Sequence, residues 1–182
     1  GSGPFVPPIA GLESVPYLTN ETVFERPLAP RHLIVVGGGP IGIELAQAFR
    51  LLGTDVTVIE AGRLLPKDDS EMVEQLRNRL IAQGIRIREG AVVKRVDRSA
   101  DNGVSVIARV HDREHRYEGS HLLLAVGRRT RFDGLGLDAA GIETKDGRLV
   151  VDSRLRTTNR RVFVAGDAAG GPQFTHVASY HA

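Results

Sequence analysis

A short, mainly apolar run, His32-Leu33-Ile34-Val35-Val36, passes without a linker into Gly37-Gly38-Gly39-Pro40-Ile41-Gly42, and this junction restricts the fold more than any other feature of the chain. The run has the texture of a strand buried on both faces of a parallel sheet. Beyond the glycines, Ile43, Leu45, Ala46, Phe49 and Leu52 recur at helical spacing, and Gly53 supplies a stop. Asp55-Val56-Thr57-Val58-Ile59-Glu60 then reads as a second strand. Parallel strands need a crossover, and a helix between two strands is the usual one, so the chain is expected to be an α/β protein with a parallel sheet.

Gly37, Gly39 and Gly42 form the pattern G-x-G-x-x-G, which is weak alone because glycine is common here. Its position between a strand and a helix, with Glu60 at the end of the following strand 18 positions after Gly42, makes it specific for dinucleotide binding. Gly37 permits a tight turn, Gly39 lets a pyrophosphate approach the backbone, and Gly42 lets the helix lie close to the strand. Pro40 and Ile41 complete the turn, and the helix N-terminus offers unpaired N–H groups and the positive end of its dipole to phosphate. A carboxylate at Glu60 can accept from the adenosine ribose hydroxyls, each charge-assisted bond being worth about 1.5 to 3 kcal/mol. It would repel a 2′-phosphate, so NAD(H) is expected in preference to NADP(H). Arg63, three residues on, is the side chain that could reverse that preference.

The remaining chain punctuates clearly. Residues 1–29 carry Pro4, Pro7, Pro8, Pro16 and Pro27 and read as an irregular connector. Asp68-Asp69-Ser70 is a helix start, followed by the apolar stripe Met72, Leu76, Leu80 and Ile81 up to Gly84. Ile85 to Arg88 alternates as a strand. Val92 to Val96, Val104 to Val110 and His115 to Tyr117, separated by Asp101-Asn102-Gly103 and Asp112-Arg113, predict an antiparallel β-meander. Leu122 to Val126 is again continuously apolar and is expected to rejoin the parallel sheet, with Gly127 at its end. Beyond it, a hairpin around Asp146-Gly147, a buried strand Val162-Phe163-Val164-Ala165 and a helix near His176 are expected.

Composition removes several function classes. The chain has 182 residues, 41% of them apolar, and no cysteine, which excludes disulfides, thiolate metal sites, iron–sulfur ligation and a cysteine nucleophile within it. No apolar window approaches the ~18 residues of a membrane span, and no secretion signal opens the chain, so a cytoplasmic protein is expected. The net charge is only +2 despite a pI of 9.3. The basic residues are mostly arginine, with loose clusters at Arg128, Arg129, Arg131 and at Arg154, Arg156, Arg160, Arg161. Without interleaved aromatics or a reading helix these read as a solvated face, and no nucleic-acid partner is expected. The histidine pairs His111/His115 and His176/His181 lack a completing carboxylate or histidine, so no metal is expected.

Three ordered motifs carry a resemblance to a known family. Val36-Gly37-Gly38-Gly39-Pro40-Ile41-Gly42-Ile43-Glu44, Leu124-Ala125-Val126-Gly127-Arg128 and Val162-Phe163-Val164-Ala165-Gly166-Asp167 resemble, in this order, three segments of the pyridine nucleotide-disulfide oxidoreductases. These flavoproteins include dihydrolipoamide dehydrogenase and mercuric reductase. The resemblance extends over essentially the whole chain, since Pro4, Pro7-Pro8 and Gly11 match the exit from the first half of the family's FAD domain. It implies a Rossmann-like FAD/NAD(P)-binding fold: an exit segment at 1–29, an NAD-binding domain at 30–130, and a truncated return of the FAD domain at 131–182.

The resemblance also implies roles. Glu44 would neighbour nicotinamide and flavin, Ala125, Val126, Gly127 and Arg128 would contact the dinucleotide, and Gly166 and Asp167 would meet FAD. Arg129-Thr130-Arg131 departs from the proline and asparagine usual there. The other FAD fingerprint, the redox cysteines and a C-terminal domain joining a homodimer would lie outside this chain. The expectation is therefore an NAD(H)-binding piece, inactive alone, of an enzyme passing hydride from NAD(P)H to FAD and on to a disulfide or similar acceptor. The same domain also occurs in NADH oxidases, coenzyme A disulfide reductases and ferredoxin reductases, and a non-catalytic dinucleotide-binding module stays open. A short-chain dehydrogenase is disfavoured because Tyr17, Tyr117 and Tyr180 have no lysine four residues later.

Overall fold

The computed structural model describes residues 1–25 and 27–182. They fall into two compact units, one of Pro4–Gly127 and one of Gly1–Gly3 with Arg128–Ala182. Along the chain, β1 (Ser2–Pro4) and β2 (Tyr17–Leu18) precede β3 (His32–Val36), α1 (Pro40–Leu51), β4 (Asp55–Ile59) and α2 (Ser70–Ala82). Five strands follow: β5 (Arg86–Arg88), β6 (Ala91–Arg98), β7 (Val104–Val110), β8 (Arg113–Gly119) and β9 (His121–Leu124). The elements end with β10 (Arg128–Thr130), β11 (Thr144–Lys145), β12 (Arg148–Leu149) and α3 (Thr175–His181).

In the larger unit a five-stranded sheet runs in the order β2-β9-β3-β4-β5, with every pair parallel. The strand period of two divides its side chains between two cores. Leu33 and Val35 of β3, Val56 and Val58 of β4 and Leu123 of β9 join Ile43, Leu45 and Ala46 of α1 and Val73 and Leu80 of α2. Ile34, Val36, Ile59, Leu122 and Leu124 point the other way, onto Val96, Val104, Val106 and Ala108 of the antiparallel β6-β7-β8 sheet. Helices therefore cover one face of the parallel sheet and the meander the other. This explains why Leu33–Val36 of β3 and Leu122–Leu124 of β9 read as continuous apolar runs, with no polar face to show.

The helix ends follow local chemistry. Pro40 takes the first helical position of α1, where its missing N–H costs nothing, and Gly39 precedes it in extended geometry. The Asp69 carboxylate caps α2 by accepting from the Glu71 and Met72 amides at 3.0 and 3.2 Å. Asn102 adopts a positive φ in the β6–β7 turn, as the Asp101-Asn102-Gly103 sequence predicts.

In the smaller unit β1 pairs with β10, and β11 with β12 across the Asp146-Gly147 turn. Three expectations need correction. Tyr17–Leu18 lies within the stretch read as a connector, yet it forms a parallel edge strand on β9; two residues after a proline carry no period of their own, and pairing decides their structure. Val162–Ala165 is not a buried strand: it makes only an isolated bridge, Arg156 to Phe163, and Phe163 is 63% exposed. An apolar run becomes a buried strand only where neighbours cover both its faces, and here Val162 and Val164 are half-buried while Phe163 and Ala165 are exposed. Arg128 is not part of a solvated arginine face, because its side chain is largely buried.

Candidate functional site

The glycine turn leaves the carboxyl end of β3, where the Gly37 amide donates to the Ile59 carbonyl at 2.9 Å and the Ala125 amide to the Val36 carbonyl at 2.8 Å. Gly37 sits at φ +112°, and a side chain there would run into the Ala125 carbonyl. A Cβ on Gly42 would strike the Gly37 carbonyl oxygen, so the helix can lie this close to the turn only without one. Gly39 differs: a Cβ there would meet nothing within 4 Å. The turn is thus closed on the side of Gly37 and Gly42 and open at Gly39.

The N-terminus of α1 borders that open space. Pro40 has no N–H, and Ile43 donates to the Gly39 carbonyl at 3.0 Å. The Ile41 and Gly42 amides lie in the first turn, where no intrahelical acceptor exists, and they carry the positive end of the helix dipole. Glu44 is exposed on this helix, and its side chain makes no hydrogen bond or ion pair among the described residues.

Glu60 approaches the turn from β4. Its Oε2 accepts from the Gly38 amide at 2.6 Å and its Oε1 from the Gly62 amide at 2.7 Å. Arg63 does not point its charge at this carboxylate; its Nη2 donates to the Pro66 carbonyl at 3.1 Å. Ala125 packs against the helix-side core and Val126 against the meander-side core, while Gly127 accepts from the Phe5 amide at 3.0 Å. Gly37, Gly39, Pro40, Ile41, Gly42, Glu60, Arg63 and Ala125 to Gly127 all belong to the larger unit.

Arg128, Gly166 and Asp167 belong to the smaller unit and form a cluster of their own. Arg128 donates from Nε to Ser2 Oγ at 2.7 Å and from Nη2 to the Ser2 carbonyl at 2.8 Å. The Ser2 hydroxyl donates in turn to Asp167 Oδ2, which also lies 3.7 Å from Arg128 Nε. The Gly166 amide donates to His181 Nδ1 at 3.1 Å, fixing the start of the Gly166–Ala169 3-10 turn. His176 stacks on Phe174 with ring centroids 5.3 Å apart.

Two further features escaped the reading of the sequence. Gly38, at an unrestricted position of G-x-G-x-x-G, is crowded by side chains: a Cβ would come within 2.5 Å of Leu64 Cδ2 and 3.0 Å of Glu60 Cγ, so Leu64 would have to shift to admit one. Its carbonyl accepts from the Leu65 amide at 3.0 Å. Glu89, just past β5, accepts from the Leu64 amide at 2.7 Å and from Arg77 Nε at 2.9 Å. The available signal for Glu89 was topological: carboxyl ends of parallel strands line ligand crevices, and Glu89 sits at one.

The family profile of pyridine nucleotide-disulphide oxidoreductases matches residues 1–182. The chain belongs to this family. It is 39% identical over 182 residues to a mercuric reductase of Lysinibacillus sphaericus, covering 99% of this chain and 33% of that protein. It is 32% identical over 179 residues to a dihydrolipoyl dehydrogenase of Bacillus subtilis, covering 98% of this chain and 38% of that one. Among solved structures it matches the HOCl-induced flavoprotein disulfide reductase RclA of Escherichia coli at 33% identity and a TM-score of 0.91, over 100% of this chain and 41% of that one. The chain thus spans 33% to 41% of the length of these oxidoreductases. No helix among the described residues is long and apolar enough to cross a membrane.

Proposed function

We propose that this chain binds NAD(H), in preference to NADP(H), as the pyridine-nucleotide portion of a flavin-dependent oxidoreductase. The observation that carries the reading is the open space at Gly39 beside the first turn of α1, with Glu60 held at its rim. A pyrophosphate placed there meets backbone rather than side chains, and the Ile41 and Gly42 amides are the donors for it. Glu60 uses one acceptor direction on each oxygen for the Gly38 and Gly62 amides, and a carboxylate oxygen has a second lone pair available to a ribose hydroxyl. Ala125, Val126 and Gly127, at the carboxyl end of β9, supply backbone on the other side of the turn.

Asp167 and Gly166, with Arg128 and Ser2 behind them, are the residues proposed to meet FAD in a protein that contains this chain. Bound nicotinamide and flavin would supply hydride transfer from a reduced pyridine nucleotide toward a disulfide or similar acceptor. The larger unit's part is to bind and orient the nucleotide, and Glu44 is proposed to lie toward its nicotinamide end. The chain alone is expected to turn nothing over.

The test is a calorimetric titration of the folded chain with NADH and, separately, NADPH at one salt concentration. Saturable NADH binding with NADPH about tenfold weaker supports the reading, on the scale of one charged contact to the ribose. Tighter NADPH binding would transfer the selectivity to Arg63. A folded chain that bound neither would overturn the assignment.

A further inference from the structure

The loop from Glu60 to Pro66 is fastened to the glycine turn at three places. Glu60 Oε2 accepts from the Gly38 amide, the Leu65 amide donates to the Gly38 carbonyl at 3.0 Å, and Leu64, 1% exposed, fills the space beside Gly38 where a side chain would be. Leu65 accepts a left-handed backbone, φ +44°, to do so. A non-glycine residue holds that conformation only when its surroundings impose it. On the far side of the loop stands Glu89. It accepts from the Leu64 amide at 2.7 Å and from Arg77 Nε at 2.9 Å, and its side chain is 28% exposed against 33% for Arg77. Arg77 has a second, weaker carboxylate neighbour, Glu74 at 3.7 Å.

Resting on the NAD(H) reading above, we infer that Glu89 is a specificity-positioning residue: it anchors the Leu64 amide and so fixes the loop that sets Glu60 against Gly38 and directs Arg63 along its own loop to Pro66. Glu89 touches no nucleotide in this scheme. Its carboxylate acts one hydrogen bond behind the two side chains of opposite charge that decide between a ribose hydroxyl and a 2′-phosphate. While the anchor holds, the anionic Glu60 stays at the rim and the Arg63 guanidinium stays committed to the Pro66 carbonyl. Without it, the Leu64 amide loses its acceptor and Arg77 its nearest carboxylate, and the loop is released to bring Arg63 toward the site.

The experiment compares NADH and NADPH dissociation constants in the parent chain, Glu89→Ala and Glu89→Gln, with folding checked by circular dichroism. For Glu89→Ala, NADH should bind about tenfold more weakly and NADPH less than about threefold more weakly, so that their ratio narrows. Glu89→Gln keeps an acceptor for the Leu64 amide, and its ratio should stay within about twofold of the parent's. A variant that merely lowered the folded fraction would weaken both cofactors equally. An unchanged ratio in Glu89→Ala therefore overturns the inference. If Glu89→Ala does not fold, Glu89→Asp replaces it: one methylene shorter, it cannot span Leu64 and Arg77 together, and it must narrow the ratio in the same direction. A parent chain that bound neither nucleotide would remove the NAD(H) reading itself, whereas failure of the inference leaves parent NADH binding intact.

Discussion

The Glu60 carboxylate accepts a 2.6 Å hydrogen bond from the amide of Gly38, a residue 22 positions earlier in the middle of the glycine turn. Together with the 2.7 Å bond from Gly62, this makes Glu60 part of the turn's construction and not only a group waiting for ligand. The negative charge satisfies two backbone donors, the amide of buried Gly38 and that of exposed Gly62, and they hold it at the end of β4.

Replacing Glu60 should therefore have two effects at once. Glu60→Gln retains a single acceptor oxygen, so one of the two amides loses its partner, and stability should fall by about 1 to 3 kcal/mol. Glu60→Ala should lose both bonds, weaken NADH and narrow the gap to NADPH, because the group that repels a 2′-phosphate is gone. Urea unfolding reads the first effect and calorimetry the second. An Ala variant with its cofactor preference intact would exclude Glu60 from the ribose site.

The glycines of the turn separate fold from function. Gly42→Ala places a Cβ against the Gly37 carbonyl, a backbone atom that cannot turn aside, and should cost about 3 kcal/mol or more. Gly39→Ala meets no neighbour, and its φ of −77° suits any L-residue, so the thermal midpoint should change by no more than about 2 °C. The same Gly39→Ala should nevertheless weaken NADH by about tenfold or more if the pyrophosphate lies against that backbone. Differential scanning calorimetry and titration on the same preparations decide it, and unaltered binding by Gly39→Ala would move the pyrophosphate elsewhere.

His32 gives the larger unit a dependence on acidity. Its Nε2 lies 2.9 Å from Thr57 Oγ1 and 3.0 Å from Arg86 Nη2, and Arg86 Nε donates to Thr57 Oγ1 at 3.1 Å. A guanidinium can only donate, so Nε2 must be the unprotonated, accepting nitrogen. Burial first, then the Arg86 charge and more weakly Arg31, hold the His32 pKa below its ordinary 6.5, with Asp55 opposing. The unfolded chain takes up this proton before the folded one does. The contribution is thus fully present above about pH 6.5 and is lost as pH falls through the lower folded value. Thermal midpoints from about pH 7.5 down to 5 should fall more for the parent than for His32→Gln, and parallel curves would deny His32 that role.

The legible part of this molecule was the part built from neighbours in sequence. The β3-α1-β4 unit announced itself because its strand runs, its glycines and its helical period lie within one short stretch, and each reports a local geometry. The division of β9 between two cores was hidden, since Leu122, Leu123 and Leu124 are equally apolar and only the covering layers distinguish them. Tyr17–Leu18 was hidden for the related reason that its strand exists only through pairing with β9. At the site, Glu60 was found by its spacing from the glycines, whereas Glu89 depends on β5 lying beside β4, a tertiary fact that no spacing records. Gly38 was passed over because the crowding there comes from Leu64, delivered by a loop more than twenty residues away.

The two-sided packing of β9 can itself be tested against the site. Leu122 and Leu123 are both fully buried, and truncating either to alanine should cost about 2 to 5 kcal/mol. Leu123 faces the core that holds Ile43 and Ala46 of α1, the helix whose first turn borders Gly39. Leu122 faces Val104 and Val106 of the meander. Equal losses of stability should thus have unequal functional results: Leu123→Ala loosens the seat of α1 and should weaken NADH by about three- to tenfold, while Leu122→Ala should leave it within about twofold. The affinities must be measured well below both unfolding midpoints so that the folded fraction is near one. Equal weakening by the two variants would mean that the sheet transmits strain across both faces and that the helix layer alone does not position the turn.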